Sequence, residues 1–144
     1  GHQLDKYKLH AGIEFPNVKT SIKYQLKEGD VFAIEPFVTD GSGKVIETEK
    51  SLIYMFLSDR PARFPESRKI LEMAKEDFHE LPFTKRWILN KINISPIKLN
   101  LILRQLEQIS SLYGYPALRE IKNGYVAQAE HTVIVGDKPL ITTA

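Results

Sequence analysis

Val31-Phe32-Ala33-Ile34-Glu35-Pro36 is a short apolar run that ends in a carboxylate. It follows the turn signal Lys27-Glu28-Gly29-Asp30, so the sequence predicts a buried strand over residues 31–34. An unpaired carboxylate in such a strand is costly to bury, and a cation or a basic partner removes that cost. Glu35 is therefore a candidate ligand, although a solvent-facing or paired glutamate at a strand end produces the same pattern.

A second glutamate occurs in a similar setting near the end of the chain. Residues 125–135 predict a strand that contains Glu130 and His131. Because side chains alternate along a strand, these two point to opposite faces, and Glu130 shares its face with Gln128 and Thr132. The two polar neighbours are placed to orient the Glu130 carboxylate.

Two histidines lie in the first segment, which reads Gly-His-x-x-x-x-Tyr-x-x-His-Ala-Gly from Gly1 to Gly12. Divalent transition metals accept imidazole nitrogen and carboxylate oxygen, so His2 joins Glu35 and Glu130 as a candidate ligand. A bridging carboxylate can hold two such metals, and a metal pair can activate a water and polarise a peptide carbonyl. The spacing of His2 and His10 alone is a weak metal signal, since surface histidines are common.

Composition excludes several classes of function. The 20 basic and 18 acidic residues leave a net charge of only +2, which does not indicate a nucleic-acid or membrane partner, and there is no cysteine for a disulfide or thiolate site. The chain contains no membrane-length apolar run, no nucleophile elbow, no P-loop and no His-Glu-x-x-His motif. We therefore expect a soluble, cytoplasmic protein.

Strands occupy the first third of the chain, and three predicted helices follow. A turn at 40–43 leads to strands over 44–57, and Pro65 opens the first helix. The second helix covers 83–92 and buries Trp87 and Ile88. The third begins at Ser95 with Pro96 in its first turn, and its C-cap is Gly114. Its apolar stripe consists of Leu99, Ile102, Leu103, Leu106 and Ile109.

Asn123-Gly124 separates two short strand-like segments, 118–121 and 125–127, and favours a two-residue hairpin turn. Three helices followed by a hairpin is the order of a winged helix. A DNA-binding winged helix needs a basic recognition helix, and the third helix offers only Lys98 and Arg104. The sequence therefore argues against nucleic acid as a partner and favours a packing role for the helices.

Taken together, the motifs resemble the type II methionine aminopeptidases, particularly the archaeal ones. The resemblance rests on the Gly-His motif, on Val-Phe-Ala-Ile-Glu-Pro-Phe at 31–37 with Gly-Ser-Gly after it, and on Gln-Ala-Glu-His-Thr at 128–132. It extends to the helical region, where the matching segments are Arg63-Phe64-Pro65, Leu81-Pro82-Phe83-x-x-Arg86-Trp87 and Tyr115-Pro116-x-Leu118-x-x-Ile121. One motif would be weak, but this ordered set is specific.

The resemblance implies an α+β fold, the second half of a pita-bread (creatinase/aminopeptidase) fold with an inserted winged-helix-like helical subdomain. Residues 1–58 and 122–144 would form the two parts of the catalytic domain, and 59–121 the insert. The implied activity is metal-dependent removal of the initiator methionine from new polypeptides. The implied cofactor is a pair of divalent metal ions, cobalt, manganese, iron or zinc.

Site roles follow from the same resemblance. His2 and Glu35 would bind one metal and Glu130 would bridge both, and either Glu35 or a residue of the missing half would handle protons. His10 would contact the substrate carbonyl or the tetrahedral intermediate. The positions that match the pocket for the methionine side chain are Leu9, Pro82, Phe83 and Tyr115.

The family's two aspartate ligands and a further histidine lie upstream of the Gly-His motif. We therefore expect the chain to need an amino-terminal half of the same enzyme, in a second chain or a longer parent, and peptides with amino-terminal Met as substrates. The alternative is a non-catalytic pita-bread relative that binds protein or RNA. Such relatives typically lose metal ligands, whereas His2, Glu35 and Glu130 are all present.

Overall fold

A computed structural model describes all residues from Gly1 to Ala144 as nine strands, three α-helices and one π-helical turn. The strands are β1 (His2–Gln3), β2 (Val31–Ile34), β3 (Phe37–Thr39), β4 (Val45–Phe56), β5 (Phe83–Thr84), β6 (Leu112–Glu120), β7 (Val126–Gln128), β8 (His131–Ile134) and β9 (Leu140–Ile141). The helices are α1 (Pro65–Met73), continued by the π-helical turn Ala74–Phe78, α2 (Lys85–Lys91) and α3 (Pro96–Gln108).

The chain forms two compact units. The first unit consists of Gly1–Ile46 and Arg119–Ala144, and the second unit is the continuous segment Glu47–Leu118. The second unit starts earlier than Asp59, the residue at which the sequence predicts the insert to begin. The reason is that β4 runs unbroken through this stretch and is the central strand of the second unit's sheet.

The first unit contains a four-stranded sheet in the order β1-β2-β8-β9 and a separate ribbon of β3 and β7. All the paired strands of this unit are antiparallel. The predicted strand at 31–34 is confirmed as β2, and its Phe32 and Ala33 are buried. The buried centre of this sheet is the scaffold on which the candidate site residues lie.

The second unit packs its helices around one apolar core. Its sheet has the order β5-β4-β6, and α1 contacts α3. The stripe predicted for the third helix is confirmed, because four of its residues are almost fully buried in α3, namely Leu99, Ile102, Leu103 and Leu106. Tyr54 and Phe83 from the sheet complete this core.

The predicted starts of the first and third helices are confirmed. Pro65 is the first residue of α1, and Pro96 is the first of α3. The hydroxyl of Ser95 accepts a hydrogen bond from the Lys98 N–H at 3.3 Å, as expected of an N-cap. The predicted C-cap at Gly114 is wrong, because α3 ends at Gln108 and Gly114 lies within β6.

The predicted burial of Trp87 is also wrong. Its side chain is 44% exposed, while its neighbour Ile88 is fully buried as predicted. The second helix starts later than predicted, at Lys85, because Phe83 and Thr84 pair with β4 as β5. Trp87 instead covers the core from outside by stacking on Phe78, with ring centroids 5.3 Å apart.

The hairpin predicted around Asn123-Gly124 is wrong, although the turn itself exists and Asn123 has the left-handed φ of 59°. The strand before the turn, β6, pairs with β4, and the strand after it, β7, pairs with β3. The turn therefore joins two different sheets, and the predicted winged-helix order is not confirmed. The predicted strand over 125–135 is likewise divided into β7 and β8, which lie in different sheets.

No helix combines the length and the apolar character that a membrane span requires.

Truncating the α3 stripe should destabilise the second unit. Leu106 is fully buried, so Leu106→Ala should lower the free energy of unfolding by about 2 to 5 kcal/mol through lost burial and a residual cavity. Leu101 lies on the same helix and is 62% exposed, so Leu101→Ala should change it by no more than about 0.5 kcal/mol. Urea denaturation followed by circular dichroism measures both, and equal losses would contradict this assignment of the core.

Candidate functional site

Strand register brings the three predicted metal ligands to one face of the first unit's sheet. His2 of β1 pairs with Ala33 of β2, and Ala33 pairs with Thr132 of β8. Residues directly opposite each other in an antiparallel sheet point to the same face, and so do residues two apart along a strand. Glu35 is two residues after Ala33 and Glu130 is two residues before Thr132, so both share the face of His2.

Pro36 interrupts the ladder at this point without changing its register. Ile34 pairs with His131 on one side of the break, and Phe37 pairs with Gln128 on the other. Counting one residue at a time between these pairs places Glu35 opposite Glu130 and Pro36 opposite Ala129. Proline has no N–H to donate, but its carbonyl still accepts the Ala129 N–H at 3.4 Å.

His2 is the most buried of the candidate residues, at 5% exposure. Its Nε2 lies 3.5 Å from the Glu35 carboxylate, whose side chain is 26% exposed. Its Nδ1 is buried and has no hydrogen-bond partner within the chain. A buried polar atom without a partner costs about 1 to 3 kcal/mol, so this nitrogen is the unsatisfied polar atom of the site.

His10 lies against His2, and the two rings are stacked with centroids 4.3 Å apart and planes 16° apart. The Nδ1 atom of His10 is 3.0 Å from a carboxylate oxygen of Glu14. These side chains line a cavity of about 240 Å³ together with Glu35 and Phe37. The structure therefore brings His2, His10 and Glu35 together.

Glu130 does not join that cluster through its side chain. Its carboxylate is exposed and accepts a hydrogen bond from the Gln128 amide at 3.2 Å, so the orienting neighbour predicted from strand alternation is present. No group of three or more His, Asp and Glu side chains is arranged to hold a metal ion. The register aligns Glu130 with Glu35, and its side chain is turned toward Gln128.

The residues predicted to form the methionine pocket are divided between the two units. Leu9 belongs to the first unit and is partly buried. Pro82, Phe83 and Tyr115 belong to the second unit, where Phe83 lies in the apolar core. The Tyr115 hydroxyl donates to the Met55 sulfur at 3.4 Å, and burial raises the pKa of this tyrosine.

Two glutamates that matter here were missed in the sequence. Glu14 contacts His10, but a glutamate four residues after a histidine indicates contact only in a helix, and this segment is not helical. Glu120 is 2% exposed and accepts hydrogen bonds from the backbone N–H groups of Ser42, Lys122 and Gly124 at 2.6, 2.6 and 2.9 Å. An isolated glutamate at a strand end has no sequence signature of such a role.

Glu120 joins two turns of the first unit, the turn at 40–43 that follows β3 and the turn at 121–124 that precedes β7. The hydroxyl of Ser42 also donates to it at 2.5 Å. Next to this cluster, the Tyr125 N–H donates to Asp40 at 2.8 Å, and the Thr39 hydroxyl donates to the Tyr125 carbonyl at 2.7 Å. These bonds fix the outer end of the β3–β7 ribbon, whose other end is the Pro36 break.

Comparison with known proteins gives a consistent picture. No family model matches the chain. It is 49% identical to the methionine aminopeptidase of Pyrococcus abyssi over 144 residues and 48% identical to that of Thermococcus onnurineus over 136 residues. The chain is similar to archaeal methionine aminopeptidases. The resemblance seen in the motifs is thus confirmed along 99% and 94% of the chain, respectively.

The chain spans about half the length of the curated relatives it matches, 48% of the Pyrococcus abyssi protein and 45% of the Thermococcus onnurineus protein. Among solved structures, a thermophilic Arx1 superposes with a TM-score of 0.72 over 97% of this chain and 38% of its own, at 19% identity. That similarity concerns the fold alone, and it supports the mixed α/β, pita-bread architecture.

The Glu120 cluster should make folding stability depend on acid pH. Hydrogen bonds from the Ser42 hydroxyl and from the N–H groups of Gly124, Ser42 and Lys122 lower the pKa of Glu120 from 4.5 to about 2. Because the folded-state pKa is depressed, the ionised carboxylate stabilises the fold above pH 4.5, and this contribution is lost as the pH falls toward about 2.

Glu120→Gln removes this titration, so its free energy of unfolding should be lower than that of the wild type at neutral pH. The difference should shrink as the pH falls through that window. Urea denaturation at a series of acid pH values measures it. Ser42→Ala, which removes the hydroxyl donor, should show a smaller effect in the same direction, and a pH-independent difference for Glu120→Gln would contradict the assignment.

Proposed function

We propose that this chain is the carboxyl-terminal part of a metal-dependent methionine aminopeptidase, with His2, Glu35 and Glu130 as ligands of a pair of divalent metal ions. The observation that supports the proposal most directly is the register that sets Glu35 opposite Glu130. Like charges directly opposite each other destabilise a sheet, and a cation between them reverses the sign of that interaction. A cytoplasmic location is part of the same proposal.

The residues fit a metal site on their own chemistry. One imidazole and two carboxylates are donors that manganese, iron, cobalt and zinc all accept. The buried Nδ1 of His2 has no partner within the chain, and its other ring nitrogen faces Glu35. When bound, such ions polarise a peptide carbonyl and lower the pKa of a water.

The chain's own side chains would perform the remaining tasks. The Glu35 carboxylate, which is partly exposed, would accept and return a proton during hydrolysis. His10 would contact the tetrahedral intermediate, whose hydroxyl group can donate a hydrogen bond to a neutral ring nitrogen. The apolar positions assigned to the Met side chain are those that the resemblance indicates, namely Leu9, Pro82, Phe83 and Tyr115.

We propose further that the ligand set is completed by residues outside this chain. Its curated relatives are about twice as long, and the resemblance places two aspartate ligands upstream of the Gly-His motif. The Glu130 side chain points toward Gln128 and away from His2 and Glu35. This is consistent with a site in which Glu130 turns toward the other ligands only when the metal and the remaining donors are present. The amino-terminal half is thus the proposed partner, and peptides that begin with Met are the proposed substrates.

Activity is tested by methionine release from a Met-Ala-Ser peptide with added Mn²⁺ or Co²⁺, with and without an amino-terminal half supplied as a second chain. Release that needs the second chain, and that Glu130→Gln lowers by about 100-fold or more, is the expected result. Glu28→Gln is the matched control, because Glu28 is an exposed turn residue of the same unit.

Release that is unaffected by Glu130→Gln would contradict the assigned role of Glu130. No release under any of these conditions would contradict the enzyme proposal and would favour a non-catalytic pita-bread relative.

Metal affinity gives a second test, independent of activity. In the combined preparation, His2→Ala and Glu35→Gln should each weaken Mn²⁺ binding by about 10-fold or more in calorimetric titration, because each removes a donor. Glu28→Gln should leave the affinity unchanged. An unchanged Mn²⁺ affinity in His2→Ala would exclude this histidine as a metal ligand. Metal binding would then not explain why its buried Nδ1 has no partner within the chain.

A further inference from the structure

We propose that Glu14 is a positioning residue for His10, fixing the imidazole so that its Nε2 atom faces the substrate. The inference rests on the proposed function of this site. It assigns a role to a residue that none of the sequence motifs includes. Three contacts constrain this pair, one at the backbone of Glu14, one at its carboxylate and one at the ring of His10.

The backbone of Glu14 is held beside β1. Glu14 lies directly opposite His2 in an antiparallel bridge. The bridge is flanked by hydrogen bonds from the Gln3 N–H to the Ile13 carbonyl at 2.8 Å and from the Phe15 N–H to the Gly1 carbonyl at 2.6 Å. Directly opposite residues share a face, so the Glu14 side chain emerges on the face of His2.

The side chain of Glu14 reaches His10 from that position. Its carboxylate oxygen is 3.0 Å from His10 Nδ1, and a carboxylate can only accept, so Nδ1 carries the proton. The two ring nitrogens lie on opposite sides of an imidazole, so Nε2 points away from Glu14 and, in the neutral ring, can only accept a hydrogen bond. The ring plane is set separately by stacking on buried His2, at 4.3 Å between centroids.

Together these contacts leave His10 little freedom to rotate. Stacking alone would allow the ring to flip about its Cβ–Cγ bond and exchange the places of its two edges, and the bond to Glu14 favours one of the two orientations. Both side chains are more than half exposed, at 52% and 64%, so the pair contributes little to stability. Its effect is on orientation, and the test must measure orientation.

The position of the proton on His10 is the direct test. The chain has four histidines, so ¹⁵N-labelled imidazole signals can be assigned individually by NMR. At mildly alkaline pH, wild-type His10 should carry its proton on Nδ1, and Glu14→Ala should shift it toward Nε2, the usual preference of free imidazole. Glu14→Gln should keep the wild-type pattern, because the amide oxygen still accepts. Unchanged His10 signals in Glu14→Ala would overturn the proposal.

The second test is the kinetics of methionine release by this chain together with the amino-terminal half. Glu14→Ala should lower kcat for Met-Ala-Ser by about 10-fold with little change in KM, and Glu14→Gln should restore most of it. In a His10→Ala background, Glu14→Ala should have no further effect, because the group that it positions is absent. Equal losses with and without His10 would overturn the positioning role.

The two tests separate this inference from the proposed function. If wild-type protein releases no methionine, the proposed function fails, and the imidazole spectra still decide whether Glu14 fixes the ring of His10. Amide spectra of Glu14→Ala that match the wild type establish that the fold is retained.

Discussion

One antiparallel register, continued across the break at Pro36, determines where the candidate ligands lie. On the buried side of the break, β2 pairs with β8 and anchors the alignment through Phe32 and Ala33. A one-residue slip of β8 against β2 would turn Glu130 to the other face, so the shared face of the two glutamates depends on this register. The same alignment sets Glu35 and Glu130 opposite each other beside the Pro36 break. The proposed site thus takes the backbone positions of its two glutamates from the pairing of β2 with β8 and of β3 with β7.

The far end of this alignment depends on a buried carboxylate. Glu120 accepts hydrogen bonds from two turns, and Gly41 and Gly124 approach so closely there that a Cβ on Gly124 would lie 2.5 Å from Gly41 backbone atoms. The bonds between Thr39, Asp40 and Tyr125 extend this contact to the start of β7. Local turn chemistry and strand register therefore support each other across the first unit.

Sequence patterns predicted the parts of the fold that depend on local physics. Proline in a first helical turn, a serine N-cap and a 3.6-residue apolar period are properties of a few neighbouring residues, and Pro65, Ser95 and Leu106 behave accordingly. The errors arose where the structure depends on pairing with a strand that is distant in the sequence. Asn123-Gly124 forms a turn in either case, but whether its flanking strands pair with each other depends on β3 and β4, which lie far away in the sequence.

The residues of the candidate site also fall into those that local sequence patterns predict and those that they do not. His2, His10 and Glu35 were predicted from motifs and lie together, and Gln128 was predicted from strand alternation to orient Glu130. Glu14 has no pattern of its own, because its contact with His10 depends on a bridge between the backbones of Glu14 and His2. Motifs identify residues that do chemistry, and residues that hold them in place are identified only by the contacts of the folded chain.

Burial across the site falls from His2 to Glu35 and then to His10, whose side chains are 7%, 26% and 52% exposed. The most buried of the three also has the unpartnered nitrogen, and the most exposed is the one that depends on a carboxylate neighbour for its orientation. In the proposed site, burial holds the proposed ligand His2 in place without further support. His10, the residue proposed to contact the substrate, must stay accessible, so packing cannot fix it, and a hydrogen bond at its outer edge performs that task without closing the site.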